Sequence, residues 1–120
     1  FRPYWVTPYK LKVFLLRLFG AKVGVGVCIK PNVLIKSPWK LMIGDFTWIG
    51  EGVWIDNVAP VEIGKHCCLS QGVLIETGNH NYKDPKFGLL QQQVVIEDGV
   101  WLGVKSIVCP GVHVYTHSIL

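Results

Sequence analysis

The chain has 120 residues, half of them apolar, and a formal net charge of +4. This length fits one domain with a substantial buried core, and the apolar content excludes a disordered tail. Lysine and arginine are scattered along the chain and form no single basic run, which argues against a nucleic-acid-binding protein. No apolar run reaches the length of about 18 residues that a membrane span requires.

The N-terminal segment, residues 1–22, is predicted to form a short helix that caps the rest of the chain. Thr7 fits an N-cap, Pro8 the first helical position and Gly20 a stop, so the helix should run from about Pro8 to Phe19. Four apolar residues with helical spacing define one face: Leu11, Phe14, Leu15 and Leu18. Attachment of this helix to a membrane surface stays open as an alternative to capping.

From residue 23 onward an aliphatic residue recurs at the first position of a six-residue repeat. The thirteen first positions are all Val, Ile or Leu: Val23, Ile29, Ile35, Ile43, Ile49, Ile55, Ile63, Leu69, Ile75, Ile96, Leu102, Val108 and Val114. Glycine often follows at the second position, where the chain must turn a corner. Repeats of this kind predict a parallel β-helix with three short strands in each coil.

Three hexads and two extra residues give a superperiod of twenty between Val23, Ile43 and Ile63. The extra pairs, Leu41-Met42 and Val61-Glu62, are expected at one corner of successive coils. Thirteen further residues separate the third and fourth coils, and the excursion at about 81–95 is expected to project as a polar loop. The β-helix domain is therefore predicted to cover residues 23–120, and its stack is expected to be incomplete at the C-terminus.

Four cysteines bear on the cellular compartment and on metal binding. Cys67 and Cys68 are adjacent and would point to opposite sides of a strand, and no pair has the C-x-x-C spacing of a zinc site. Free thiols persist in reducing compartments. We therefore predict a cytoplasmic protein without a structural metal.

His80 opens the irregular excursion, at position six of the last hexad in the third coil. An imidazole titrates near neutral pH and can accept a proton there, so this histidine is a candidate general base. An ordinary surface histidine is the alternative that the residue alone leaves open.

The motifs around His80 resemble the hexapeptide-repeat acyltransferases. The matching pieces are FLLRLFGAKVG, SPWKLMIGD, VEIGKHCCLSQGV, TGNHNY and VWLGVKSIVCPGV, in that order. Among these enzymes the chain is most similar to the colanic acid biosynthesis acetyltransferases, which are relatives of the maltose, galactoside and xenobiotic acetyltransferases. The resemblance implies a left-handed β-helix, a homotrimer and acetyl transfer from acetyl-CoA to a sugar hydroxyl, without a metal.

The resemblance also implies roles for individual residues. His80 falls on the catalytic general base, and coenzyme A would lie against Trp101, Gly103, Val104, Lys105 and Ser106. The Gly103 N–H could serve the oxyanion and Lys105 a phosphate of the cofactor. The polar candidates for contact with a sugar or lipid-linked sugar acceptor are Asp56, Glu76, Asn79, Tyr82 and Asp84.

Two other functions stay open on the sequence. A γ-type carbonic anhydrase-like metalloenzyme is compatible with the four histidines, at 66, 80, 113 and 117. A solenoid that serves only as a scaffold or binding surface is the second.

Overall fold

The computed structural model describes the backbone of residues 9–80 and 89–120 and the side chains of residues 10–78 and 91–120. The described part begins with helix α1, Tyr9–Leu18, and includes a short 3₁₀-helix, Pro38–Lys40. The strands of the described part are β1 Lys22–Val23, β2 Cys28–Ile29, β3 Leu34–Ile35, β4 Leu41–Ile43, β5 Trp48–Ile49, β6 Trp54–Asp56, β7 Val61–Ile63, β8 Cys68–Leu69, β9 Leu74–Glu76, β10 Gly78–His80, β11 Leu89–Gln91, β12 Val94–Ile96, β13 Trp101–Leu102, β14 Ile107–Val108 and β15 His113–Val114.

Three parallel sheets form the walls of a β-helix. Sheet A has the order β1-β4-β7-β12-β15, sheet B the order β13-β8-β5-β2, and sheet C the order β14-β9-β6-β3. Each strand pairs with the equivalent strand one coil away, as Ile43 does with Ile63 and Ile63 with Ile96. The predicted hexad register is therefore confirmed.

The core is the column of first-position side chains inside the coils. Eleven of the thirteen are buried, and the other two, Val23 and Ile35, are partly buried in the first coil and pack against the core. Burial of one such side chain is worth about 1.5–3 kcal/mol, so the repeat itself supplies most of the driving force for folding.

The two extra residues of each long coil lie in sheet A and not at a corner. Leu41 and Val61 extend β4 and β7 by one inward residue and are each 1% exposed. The corner comes just before them, where the buried Asn57 side chain accepts a hydrogen bond from the Ser37 N–H at 2.9 Å. The same amide donates to the carbonyls of Ser37 at 2.8 Å and Lys40 at 3.2 Å. The expected corner position of the extra pairs was wrong because an aliphatic residue at that point gains more by joining the core.

The edge between sheets A and B carries a column of residues with left-handed backbone. Phe46, His66 and His117 have φ values of 58°, 54° and 60°, and Gly26 and Gly99 occupy the equivalent positions in their coils. The rings of Phe46 and His66 stack with their centroids 5.4 Å apart. A Cβ atom at Gly99 would overlap the His117 ring, so only glycine fits beneath that side chain.

Helix α1 packs on β1 and β2 of the first coil, but through another face than the sequence predicts. Val13 is buried and Leu16 is partly buried against the core. The predicted stripe of Leu11, Phe14, Leu15 and Leu18 is exposed. The helix has apolar residues on two faces, and hydrophobic periodicity cannot tell which face meets the coil. None of the helices in the described ranges is long and apolar enough to cross a membrane.

The chain leaves the coils after Thr77 and returns beside it. Strands β10 and β11 form an antiparallel pair in which Gly78 faces Gln91 and His80 faces Leu89. The Gln92 N–H donates to the Thr77 carbonyl at 2.9 Å, which closes the base of this two-stranded ribbon. Residues 81–88 lie outside the described part, and β12 already belongs to sheet A from Val94 onward.

Candidate functional site

His80 lies on β10, a strand that extends beyond the three sheets of the β-helix. The ribbon begins where β9 ends, at the edge of the solenoid between sheets C and A. The side chains of Asn79 and His80 fall outside the described residues, as do Tyr82 and Asp84 entirely. The structure therefore fixes the position of the candidate base along the backbone.

Asp56 and Glu76 form a carboxyl pair at the foot of this ribbon. They face each other in β6 and β9 on the outer side of sheet C, and Lys36 Nζ lies 3.8 Å from Asp56 Oδ1. Burial, together with a hydrogen bond to Asp56, raises the pKa of Glu76 above its ordinary value. The Gly78 N–H, the first donor of β10, reaches Glu76 Oε1 at 3.2 Å. A carboxyl group accepts hydrogen bonds from the hydroxyls of a ligand, and in its protonated form it also donates one.

The segment from Trp101 to Ser106 crosses from sheet B to the edge between sheets B and C. Trp101 and Val104 are 54% and 58% exposed. The Gly103 N–H donates to the Leu120 carbonyl at 2.8 Å, so this N–H is not free for an oxyanion. No acceptor for the Val104 N–H lies among the described residues. Val104 therefore replaces Gly103 as the candidate hydrogen-bond donor to the oxyanion.

Ser106 and Lys105, the two other cofactor-binding candidates of this segment, differ in whether their side chains are free to contact a cofactor. Ser106 Oγ donates to the Gly103 carbonyl at 2.6 Å, so this hydroxyl holds the corner together. Lys105 is exposed, and its backbone is left-handed with φ 59°. The side chain of Lys105 lies against Gly72 in the coil below, and this contact positions the base of a long cationic side chain at the edge.

Sheet B also carries residues that the sequence reasoning missed. Trp48 precedes the first position of its hexad just as Trp101 does, and both indoles point outward on the same sheet. Lys30 Nζ lies 4.8 Å from the Trp48 ring centroid, and Trp101 Nε1 donates to Ser70 Oγ at 3.0 Å. The shared hexad position was the signal that could have identified Trp48.

An open cleft of about 480 Å³ runs beside the Trp48 indole. Trp48, Ser70 and Val104 contribute to its wall, along with Lys30 and Cys68. It therefore connects the exposed indole of sheet B with the corner that offers the Val104 N–H.

The ribbon and the Trp101–Ser106 segment lie at two different edges of the solenoid. Gly72 and Lys105 occupy the corner before β9 begins, whereas Gly78 leaves after β9 ends. The full width of sheet C separates them. In the part of the chain that the structure describes, the ribbon and the Trp101–Ser106 segment therefore do not meet.

Three of the four histidines have described side chains, and each has a partner within the chain. His66 stacks on Phe46, His117 covers Gly99, and His113 Nε2 lies 2.6 Å from Glu97 Oε2. Among the described residues there is no group of three or more His, Cys, Asp or Glu side chains that could hold a metal ion.

Comparison with known sequences shows a strong similarity to named acetyltransferases. The chain is 40% identical over 104 residues to the candidate colanic acid biosynthesis acetyltransferase WcaF of Escherichia coli K12. The match covers 87% of this chain and 57% of WcaF, so the chain spans a little over half the length of that relative. No protein-family model matches the chain.

Comparison with solved structures shows the fold. A hexapeptide-repeat acetyltransferase from Vibrio cholerae superposes with a TM-score of 0.85 at 24% identity, over 92% of this chain and 65% of the other. Its complex with acetyl coenzyme A gives a TM-score of 0.83 at 25% identity, over 92% and 62%. A maltose O-acetyltransferase from Clostridium difficile gives 0.80 at 21% identity, over 100% and 67%.

The fold is the predicted left-handed parallel β-helix. The resemblance to hexapeptide-repeat acetyltransferases, including those of colanic acid biosynthesis, is confirmed.

Proposed function

We propose that the protein transfers an acetyl group from acetyl-CoA to a sugar hydroxyl, in the biosynthesis of an exopolysaccharide or surface polysaccharide. The observation that carries the proposal is the 40% identity to a candidate colanic acid biosynthesis acetyltransferase along 87% of the chain. The acetyl-CoA complex of the Vibrio cholerae relative supports the choice of acyl donor.

A sugar acceptor is supported by the chemistry of two surfaces. The Trp48 indole points outward from sheet B and is about half exposed. Flat apolar rings of this kind suit the apolar faces of pyranose units. Asp56 and Glu76 supply hydrogen-bonding groups for hydroxyls, and Asn79, Tyr82 and Asp84 remain candidates for the same task.

The reaction needs a base for the acceptor hydroxyl and a donor for the developing oxyanion. A ring nitrogen of His80 takes the hydroxyl proton as the hydroxyl oxygen bonds to the acetyl carbonyl carbon. The carbon–sulfur bond then breaks, and the departing coenzyme A thiolate receives that proton. General-base help of this type is worth about 10²- to 10⁴-fold in rate.

The cofactor segment offers a matching set of groups for acetyl-CoA. The Val104 N–H is directed to the oxyanion, and the exposed Lys105 ammonium to a phosphate of coenzyme A. Trp101 and Gly103 form the wall beside the pantetheine arm. Ser106 contributes by holding the corner closed through its bond to the Gly103 carbonyl.

A homotrimer belongs to the proposal, with each site in a cleft between two subunits. The support is that the ribbon bearing His80 and the Trp101–Ser106 segment lie at different edges of one chain. A row of outward apolar side chains on sheet C gives a surface for contact between copies: Leu34, Trp54, Leu74 and Ile107. Three of these four are about half exposed or more in the isolated chain.

The proposed location is the cytoplasmic side of the membrane. All four cysteines are free thiols, which suits a reducing compartment. A polysaccharide acceptor built on a lipid carrier would place the enzyme at the inner membrane surface.

The test is release of free coenzyme A from acetyl-CoA with a panel of sugars, nucleotide sugars and lipid-linked sugars. Acceptor-dependent release and a matching acetylated sugar in the mass spectrum are expected. Absence of release with every acceptor, by a protein that still binds coenzyme A, would contradict acetyl transfer to sugars. Hydration of carbon dioxide that depends on bound metal would favour the carbonic anhydrase-like alternative.

A further inference from the structure

An apolar surface lies at the first-coil end of the solenoid. We call it the helix patch, and its members are Leu11, Phe14, Leu15, Leu18, Phe19 and Trp39. Their side chains are between 39% and 66% exposed. Trp39 joins the helical residues because its Cβ lies against the position of Gly20, directly after the helix. An exposed apolar patch of this kind is typical of a surface that contacts another protein or a membrane.

The outward direction of the patch is fixed by contacts on the other side of α1. Val13 and Leu16 hold the helix against the first coil. Arg17 donates to the carbonyls of Val23 and Gly24 at 2.8 and 2.9 Å, and Lys12 Nζ donates to the Lys30 carbonyl at 3.0 Å. Rotation of the helix to bury Phe14 and Leu18 would break these bonds and expose the residues that are now packed.

The segment that forms this end of the molecule is basic. Between residues 10 and 44 the sequence has seven Lys and Arg residues and no Asp or Glu. Lys10, Arg17 and Lys22 among them are exposed in or beside α1. The first carboxylate of the chain is Asp45, in the second coil, where it accepts a hydrogen bond from the Val25 N–H.

We propose that the helix patch docks on an anionic lipid bilayer, with α1 lying in the plane of the headgroups. A helix of ten residues is about 15 Å long, so it can lie in the interface but cannot span a bilayer. Its aromatic and aliphatic side chains enter the boundary between headgroups and acyl chains, where a tryptophan such as Trp39 is favoured. The surrounding cations are attracted by the negative surface potential of an anionic leaflet.

Charge decides between a lipid surface and a second copy of the chain. A symmetric contact through the helix patch would bring two copies of the same surface together. Each copy would contribute Lys10, Arg17 and Lys22, whereas the acidic residues in the same cleft as Arg17 and Lys22, among them Asp45 and Glu62, belong to the coils below. An anionic bilayer supplies both the apolar phase and the opposite charge.

The experiment is co-sedimentation of the full chain with two kinds of vesicle, phosphatidylcholine alone and phosphatidylcholine mixed with phosphatidylglycerol. We expect binding to the mixed vesicles that weakens as salt is added. The double variant Phe14→Ser/Leu18→Ser should weaken binding by at least about tenfold. Lys10→Gln/Lys22→Gln should weaken binding to the mixed vesicles in the same direction.

The matched control is Tyr115→Ser, because Tyr115 is as exposed as Leu18 and directly follows β15 at the other end of the solenoid. This variant should bind vesicles like the unchanged protein.

Equal binding by all three variants, or no binding to mixed vesicles, would overturn the proposal. So would a loss of oligomer without a loss of vesicle binding in Phe14→Ser/Leu18→Ser, since a second copy would then cover the patch. If the double variant melts at a lower temperature, Leu18→Ser alone replaces it. Vesicle binding is measured without a thioester, so its failure would leave the acetyl-transfer proposal standing.

Discussion

At the scale of single residues, the carboxyl pair beside the ribbon gives the protein a measurable pH dependence. Burial, and the hydrogen bond that protonated Glu76 donates to Asp56, raise the pKa of Glu76 above its ordinary value of 4.5. The folded state then binds this proton more tightly than the unfolded state. Stability from Glu76 is therefore fully present below pH 4.5 and is lost as pH rises through the raised pKa.

The variant Glu76→Gln tests this carboxyl because an amide cannot ionise. We expect it to lose less stability than the unchanged protein when pH is raised from below 4.5 to 8. The measurement is the midpoint of thermal unfolding across that range. In an Asp56→Asn background the difference should shrink, since only the effect of burial remains. An identical pH profile for the two proteins would show that Glu76 ionises normally.

Asn57 is the second residue whose loss has a specific expected cost. Its buried amide makes three hydrogen bonds to the backbone of Ser37 and Lys40. Asn57→Ala removes the partner of the Ser37 N–H and of the Lys40 carbonyl, whereas the Ser37 carbonyl keeps the Lys40 N–H. We expect the free energy of unfolding to fall by about 2–4 kcal/mol. Chemical denaturation measures this, with the exposed Gln71→Ala as a control of little expected effect. A change below about 0.5 kcal/mol would show that the corner does not depend on this amide.

At the scale of elements, the two apolar faces of α1 should behave differently. Val13 is 8% exposed and packs on the first coil, whereas Phe14 is 59% exposed. Val13→Ser should lower stability by about 2 kcal/mol, because it removes buried apolar surface and places a hydroxyl there. Phe14→Ser should change stability by less than about 0.5 kcal/mol. Equal melting temperatures for these two variants would contradict the observed orientation of the helix.

Removal of residues 1–20 is a broader test of the capping role of the N-terminal segment. Ala21, Val27 and Ile29 are buried in the first coil where α1 packs. Without the helix this end loses its cover, so the melting temperature should fall. Unchanged stability together with a loss of vesicle binding would show that the segment serves only the membrane.

The hexads were predictable from sequence because one physical constraint repeats in them. Each first-position side chain must enter a narrow aliphatic core. Residues such as Ile49, Leu69 and Leu102 therefore each indicate the register of the six-residue repeat. The helix face was not predictable, because α1 has apolar residues on two faces and tertiary packing selects between them. The β10–β11 ribbon also escaped the sequence pattern, since its antiparallel pairing depends on Thr77 and Gln92 meeting at its base.

The candidate site was predictable only in part. The position of His80 next to the excursion followed from its place in the hexads, whereas Trp101 was implied only by the family resemblance. The sequence suggested the Gly103 N–H as a donor to the oxyanion, but in the structure this N–H donates to the Leu120 carbonyl. Contacts between coils are set by residues about twenty positions apart, and a motif read along the chain does not contain them.

At the scale of the whole molecule, the proposed trimer should depend on the apolar row of sheet C. Leu34 and Ile107 are 59% and 63% exposed, so Leu34→Lys/Ile107→Lys should leave the fold of each chain intact. We expect sedimentation to show dissociation to monomers and turnover to be lost with it. Val25→Lys, at a similarly exposed site away from this row, should remain a trimer. A monomer with full activity would show that one chain holds a complete site.

Mixed assemblies test whether two chains build each site. His80→Ala and Trp101→Ala chains should be poorly active alone, since each lacks one side of the cleft. Refolded together, they should regain part of the turnover, because some clefts then receive His80 from one chain and Trp101 from the other. No recovery in mixtures that form trimers would place both residues in the site of a single chain.

General-base catalysis by His80 is the central step of the proposed reaction. The decisive measurement is the rate of acetyl transfer by His80→Ala with the best acceptor, made alongside the affinity for coenzyme A and the oligomeric state. We expect turnover to fall by at least about 100-fold, with coenzyme A affinity and assembly nearly unchanged, because only the proton acceptor has been removed. Unchanged turnover, or a loss of coenzyme A binding with the chemical step intact, would contradict the account.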